Sequence, residues 1–174
     1  MSEQPGRYTR STAGMVGAMI VAVAAVVAFV VLRDLNRTDV EVDVPSVDYQ
    51  KVLELSGEQV DFTPVAPPTL PEGWKATSVR LTPQPARWHL GVLTDEGRYV
   101  GLEQSRSSEE NMVERYVDEE AVRGEPVDIE GETWRTWTDE GGDTALTRVE
   151  DGVTTVVVGT PGEDVLVAYV ESLR

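Results

Sequence analysis

Twenty consecutive residues, Ala13 to Leu32, carry no charge and read AGMVGAMIVAVAAVVAFVVL. A helix of that length, rising about 1.5 Å per residue, reaches about 30 Å, the thickness of a bilayer's hydrocarbon core. A helix in a small soluble core keeps one polar face, and this segment has none. A single transmembrane helix is expected at 13–32. The rival reading is a cleavable signal peptide cut at Ala22-Val23-Ala24. The apolar region of such a peptide runs to about 7–15 residues, and cleavage here would leave Ala25 to Leu32 as an apolar stub. An uncleaved anchor fits better.

Arg7 and Arg10 flank one end of the segment and Arg33 and Arg37 the other, so the positive-inside count is a tie. The expected arrangement keeps the short tail 1–12 in the cytoplasm and the larger remainder outside, because long domains translocate whatever their charge. Gly14, Ala18 and Ala22 recur every fourth residue and would form a small-residue seam for helix–helix contact. Lipid-facing filler is the blander account of the same spacing.

Beyond the anchor the chain is strongly acidic. Residues 33–174 hold 13 basic and 30 acidic groups, against a formal charge of −16 for all 174 residues. Such a surface repels phosphate backbones, which excludes nucleic-acid binding. The chain has no cysteine, and with it go any disulfide framework, thiol nucleophile or Cys-type zinc site.

Residues 33–47 read as a linker, with Val40-Glu41-Val42-Asp43-Val44 alternating but followed by no turn. A two-turn helix is expected from a cap at Asp48 through Leu55, closed by Ser56-Gly57. Pro64, Pro67, Pro68 and Pro71 then impose an extended, irregular passage. Recurring turn signals mark strands at Lys75–Thr82, Arg87–Thr94, Arg98–Gln104, Glu125–Ile129, Glu132–Thr138, Asp143–Glu150 and Val153–Gly159. A helix over Ser107–Asp118 has Ser107 and Glu110 as a capping box, and a last helix opens at Thr160-Pro161 with Glu163 as its box partner. The order after the anchor is α-βββ-α-ββββ-α, an α+β domain over 48–174 built on an antiparallel sheet.

Chemistry-bearing constellations are few. His89 is the sole histidine, and no Gly-x-Ser-x-Gly elbow brings it a serine nucleophile. Alternation puts Trp88, Leu90 and Val92 on one face and His89 and Gly91 on the other. An anchored histidine beside a glycine is the plainer account of that pattern. Asp139, Glu140 and Asp143 miss the spacing of a calcium hand, Glu109-Glu110 reads as a solvated helix face, and no phosphate-cradling glycine loop occurs. No metal or cofactor is expected. Trp134 and Trp137 sit an odd distance apart, so they face opposite sides of one strand, each buried if a helix covers the second side.

Several stretches resemble an actinobacterial family, the domain of unknown function 4245 proteins. They are the N-terminal span, Val47-Asp48-Tyr49, Leu70-Pro71-Glu72-Gly73-Trp74, Trp88-His89-Leu90-Gly91, Tyr99 to Ser105, Gly152 to Thr160 and Ser172-Leu173-Arg174. The resemblance implies a membrane-anchored protein and carries over no catalytic or binding residue. The order of elements is also similar to the PsbP-like α+β fold, a likeness of topology alone. The expected function is a non-enzymatic, extracytoplasmic binding or envelope-associated module at the cell membrane, with Trp88, His89, Tyr99 and Glu103 as its contact patch and an unidentified protein or envelope partner. The alternative is a small-ligand carrier or enzyme using His89 with Glu103 as an acid–base pair.

Overall fold

The computed structural model describes residues 12–35, 45–57 and 59–174. The chain divides into two units, Met1–Asp43 and Val44–Arg174, each taken by itself below. In the first, helix α1 (Thr12–Leu35) covers the expected span. Its described side chains run from 14 to 29, about 24 Å of helix at 1.5 Å per residue. Among the described residues no helix is long and apolar enough to cross a membrane. The structure thus supplies a helix at 13–32 without by itself supplying a membrane span. Gly14, Ala18 and Ala22 all lie exposed on α1. The tail 1–11 and the alternating Val40–Val44 run lie outside the described residues.

The second unit begins earlier than the expected 48. The Val47 amide donates to the Ala76 carbonyl at 2.9 Å, which ties the supposed end of the linker to the sheet. Helix α2 (Tyr49–Ser56) follows, capped by the Asp48 side chain accepting from the Lys51 amide at 3.3 Å. The remaining elements are β1 (Lys75–Pro83), β2 (Ala86–Leu93), β3 (Tyr99–Ser105), α3 (Glu109–Tyr116), β4 (Val122–Arg123), β5 (Val127–Ile129), β6 (Glu132–Thr138), β7 (Thr144–Glu150), β8 (Val153–Gly159) and α4 (Glu163–Glu171). The strands form one antiparallel sheet in the order β1-β2-β3-β8-β7-β6-β4, with β5 also paired to β6. The β7–β8 hairpin turns at Asp151 and Gly152, both at positive φ (49° and 74°), as the tight turn matching strand twist requires.

Three local expectations need correction. The strand expected at 125–129 shortens to β5, and an unexpected β4 precedes it, each paired to a different part of β6. Helix α3 is capped by Ser108, whose hydroxyl accepts from the Asn111 amide, one residue beyond the expected Ser107. Helix α4 starts at Glu163 behind Gly162 with no side-chain cap, so Thr160-Pro161 leads up to the helix rather than opening it.

The two faces of the sheet are covered unequally. On one, Trp88, Leu90, Val92, Leu102, Leu146 and Val157 form a core closed by α2 and α4 through Tyr49, Leu166 and Tyr169. Trp74 stacks on Tyr169 with ring centroids 5.9 Å apart. The Pro-rich passage lies over this face as a strap held by polar bonds. The Val65 amide donates to Gln104 Oε1 (2.8 Å), the Trp88 indole to the Val65 carbonyl (3.0 Å) and the Tyr49 hydroxyl to the Pro67 carbonyl (2.8 Å). On the other face α3 seats Met112 and Val113 over Trp137, Ala145, Val156 and Val158. Trp134 and Trp137 therefore do face opposite sides, both buried, the second beneath α3. Helix α3 lies mainly over β7 and β8 and reaches the edge of β3 through Met112, whose sulfur accepts from the Ser105 hydroxyl at 3.1 Å.

Leu102 is fully buried in the larger core, and removing such a side chain typically costs about 2–5 kcal/mol. Leu102→Ala should lower the unfolding free energy by that amount, read as a fall in the urea midpoint at unchanged slope. Val149→Ala, at a half-exposed strand position, should stay within about 0.5 kcal/mol of the parent.

Candidate functional site

The uncovered half of the sheet is polar, and the strand register determines what it displays. Strand β2 pairs with β3 so that His89 opposes Glu103, Gly91 opposes Gly101 and Leu93 opposes Tyr99. On the outer side β1 sets Arg80 opposite His89 and Thr82 opposite Arg87. Between Ala76 and Ser78 the β1 register slips by one residue, a bulge that turns Ser78 to the same face as His89. The histidine is held at both ring nitrogens: Nδ1 bonds the Glu103 carboxylate, and Nε2 lies 2.8 Å from the Ser78 hydroxyl. An ionised carboxylate only accepts, so Nδ1 is the nitrogen that donates to it.

Glu103 is only 5% exposed, a burial tolerable for a carboxylate that is hydrogen-bonded and near positive charge. The paired glycines leave a flat bed. A Cβ on Gly101 would stand 3.0 Å from the Tyr99 hydroxyl, and one on Gly91 would stand 3.1 Å from the Tyr99 ring. Tyr99 therefore folds back over both positions. Burial first, then the charge of Glu103, raises the pKa of the Tyr99 hydroxyl. The Tyr116 hydroxyl rises for the same two reasons, against an opposite pull from Arg87 and Arg115. Between these groups lies a cavity of about 220 Å³ lined by Arg80, Thr82, Arg87, His89, Glu103 and Tyr116.

Of the residues expected as a contact patch, the structure brings together His89, Tyr99 and Glu103 and removes Trp88. Alternation carries Trp88 to the opposite face, where it is fully buried and its indole holds the strap. Sequence reasoning missed Ser78, Arg80, Arg87 and Tyr116. The strand pattern could have yielded Arg80 and Arg87, but the bulge hid Ser78.

A second carboxylate behaves unlike its sequence reading. Glu109, expected on a solvated face, is 7% exposed and accepts from the Arg135 guanidinium and the Thr147 hydroxyl, with Arg123 3.7 Å away. The Trp137 indole donates to that same Thr147 hydroxyl at 2.8 Å, and the Arg123 guanidinium lies 4.7 Å from the Trp137 ring centre. This network seals the smaller core and leaves Glu109 itself saturated by protein partners, although Arg135 and Thr147 also line a separate cavity at the β6–β7 flank. Asp139, Glu140 and Asp143 form a turn in which the Asp139 carboxylate accepts from the Asp143 amide at 2.7 Å. Among the described residues no group of three or more His, Asp or Glu side chains converges as a metal site would.

The model of a family described as Protein of unknown function (DUF4245) matches residues 7–173, and the chain belongs to that family. No curated protein matches the chain.

Burial would raise the Glu109 pKa, but the hydrogen bonds from Arg135 and Thr147 and the charges of Arg135 and Arg123 outweigh it, and the net direction is down from 4.5. A depressed folded-state value stabilises the fold above the unfolded pKa and is lost as the pH falls through the folded one. Glu109→Gln should be less stable than the parent at neutral pH. Its unfolding free energy should also fall less steeply below pH 4.5, as read from urea titrations across the acid range.

Proposed function

We infer that this protein is a membrane-anchored, non-enzymatic binding module whose ligand site is the groove around His89 and Glu103. The anchor reading is supported by the twenty uncharged residues at 13–32, enough to span about 30 Å as a helix. The acidic remainder is then extracytoplasmic. Alkaline carbonate should leave the full chain in the membrane pellet, and deletion of 13–32 should release it. Recovery of the intact chain in the supernatant would remove the anchor from this reading.

One observation carries the choice of site. The cavity lies where α3 ends, between strands β1 to β3 and Tyr116 at the last turn of that helix, and every side chain lining it is polar. At about 220 Å³ it is smaller than the roughly 300 Å³ at which pockets begin to hold drug-sized molecules. It suits a small ligand or the head of a larger one. Thr82→Trp fills the cavity from a half-buried position on the polar side of β1, away from the core. Full-length protein incubated with a small-molecule extract and desalted should retain a compound that Thr82→Trp does not. Equal retention by both proteins would place the ligand elsewhere.

Acid–base use of His89 with Glu103 is the second reading, favoured by the line from Ser78 through the imidazole to the carboxylate. Binding stands ahead because Ser78, whose hydroxyl would be the nucleophile, does not line the cavity. Hydrolysis of short nitrophenyl esters by the parent, lost in Ser78→Ala, would reverse that order.

A further inference from the structure

Arginine pairing in the second unit is lopsided. Arg98, Arg106, Arg123, Arg135, Arg148 and Arg174 each have a carboxylate within ion-pair distance. Arg80, Arg87 and Arg115 have none among the described residues, although the chain holds 31 acidic groups against 15 basic ones. In so acidic a chain, cations left without a partner are the exception. Two of these three line the same cavity, and Arg87 and Arg115 both act on Tyr116 at its rim.

Arg80 faces His89, and Arg87 lies two residues from His89 on the same strand. The two arginines are thus diagonal neighbours across the β1–β2 pair, positions about 7–8 Å apart in such a ladder. Guanidinium groups so placed can close on one anion from two sides, each offering a planar fork of donors. Glu103 is the only carboxylate lining the cavity. Two arginines against that one carboxylate leave the lining with a net positive charge.

We propose that the groove binds a small ligand through a phosphoryl group seated between Arg80 and Arg87, with His89 and Tyr116 beside it. The proposal rests on the reading of this groove as the ligand site and names the chemistry it selects. Two unneutralised guanidinium groups match a dianion better than a neutral or cationic ligand. The cavity volume admits a phosphate with a small polar substituent, such as glycerol phosphate or the head of an anionic phospholipid.

The single histidine supplies the test. Full-length protein labelled at His89 with carbon-13 is placed in phosphatidylcholine nanodiscs and titrated with inorganic phosphate and with glycerol phosphate, using chloride at equal ionic strength as reference. A parallel sample uses nanodiscs containing phosphatidylglycerol. The expected result is a saturable shift of the imidazole Cε1 signal with phosphate but not with chloride. Arg80→Gln and Arg87→Gln should each weaken it at least tenfold, and Arg148→Gln, which removes the same charge on the other face, should leave it unchanged. A shift reached with soluble glycerol phosphate supports a free ligand. One seen only with phosphatidylglycerol supports a lipid head, and both uphold phosphoryl recognition. No saturable shift with any of these probes, or a shift indifferent to Arg80 and Arg87, overturns the proposal. In that event a compound retained by the parent and lost in Thr82→Trp would still uphold the groove as a site for a ligand of other chemistry.

Discussion

The pairing of β2 with β3 is the constraint on which the rest of the second unit depends. With a side-chain period of two, a single register places Trp88, Leu90, Val92, Val100 and Leu102 in the core and His89, Gly91, Gly101 and Glu103 on the far side. A slip of one residue would exchange the two sets. It would expose four or five fully apolar side chains, each worth about 1.5–3 kcal/mol in burial, and would drive a histidine and a carboxylate into the core. The hydrophobic demand of one face therefore fixes the chemistry of the other. Gln104 and Trp88 extend this control, since their side chains hold the Pro-rich strap that closes the core.

Two buried carboxylates on the same sheet face meet different fates. Glu109 is saturated by a guanidinium, a hydroxyl and a second nearby arginine, and apolar packing from α3 closes around it. Removing its partners would leave a charge in the interior, so it behaves as a structural tie. Glu103 is equally buried but borders a cavity, and the arginines nearest that cavity bond to no carboxylate. The difference follows from the reach of α3, eight residues long and seated on β7 and β8. Where the helix stops, the sheet stays polar and open.

Much of this was legible in the sequence. Strands β6 and β8 begin and end where turn chemistry and alternation place them, and α2 is capped by the expected Asp48. The opposed burial of Trp134 and Trp137 follows from their odd spacing. The misses have physical causes. Uninterrupted alternation from Ala76 puts Ser78 on the core face, and the extra residue of the bulge reverses it. Glu109 and Glu110 look alike as neighbours in a first helical turn, and only the position of Arg135 on a distant strand separates a buried carboxylate from an exposed one. Two-residue β4 is too short for any periodic signal. The grouping of His89 with Arg87, Tyr99 and Glu103 was readable from the β2–β3 hairpin and its alternation, whereas the place of Ser78 required the β1 register.

Strand β1 ends the sheet with one side unpaired, and an open edge of that kind can recruit a strand from another molecule. Several features of β1 work against this. A bulge distorts it near its start, Arg80 places a charge midway, Pro83 closes it without an amide donor, and the Val47 amide occupies the Ala76 carbonyl. A strand that cannot serve as a template keeps two copies from zipping edge to edge. The element that supplies Arg80 and Thr82 to the groove thus also keeps a second sheet from growing across the flank beside it.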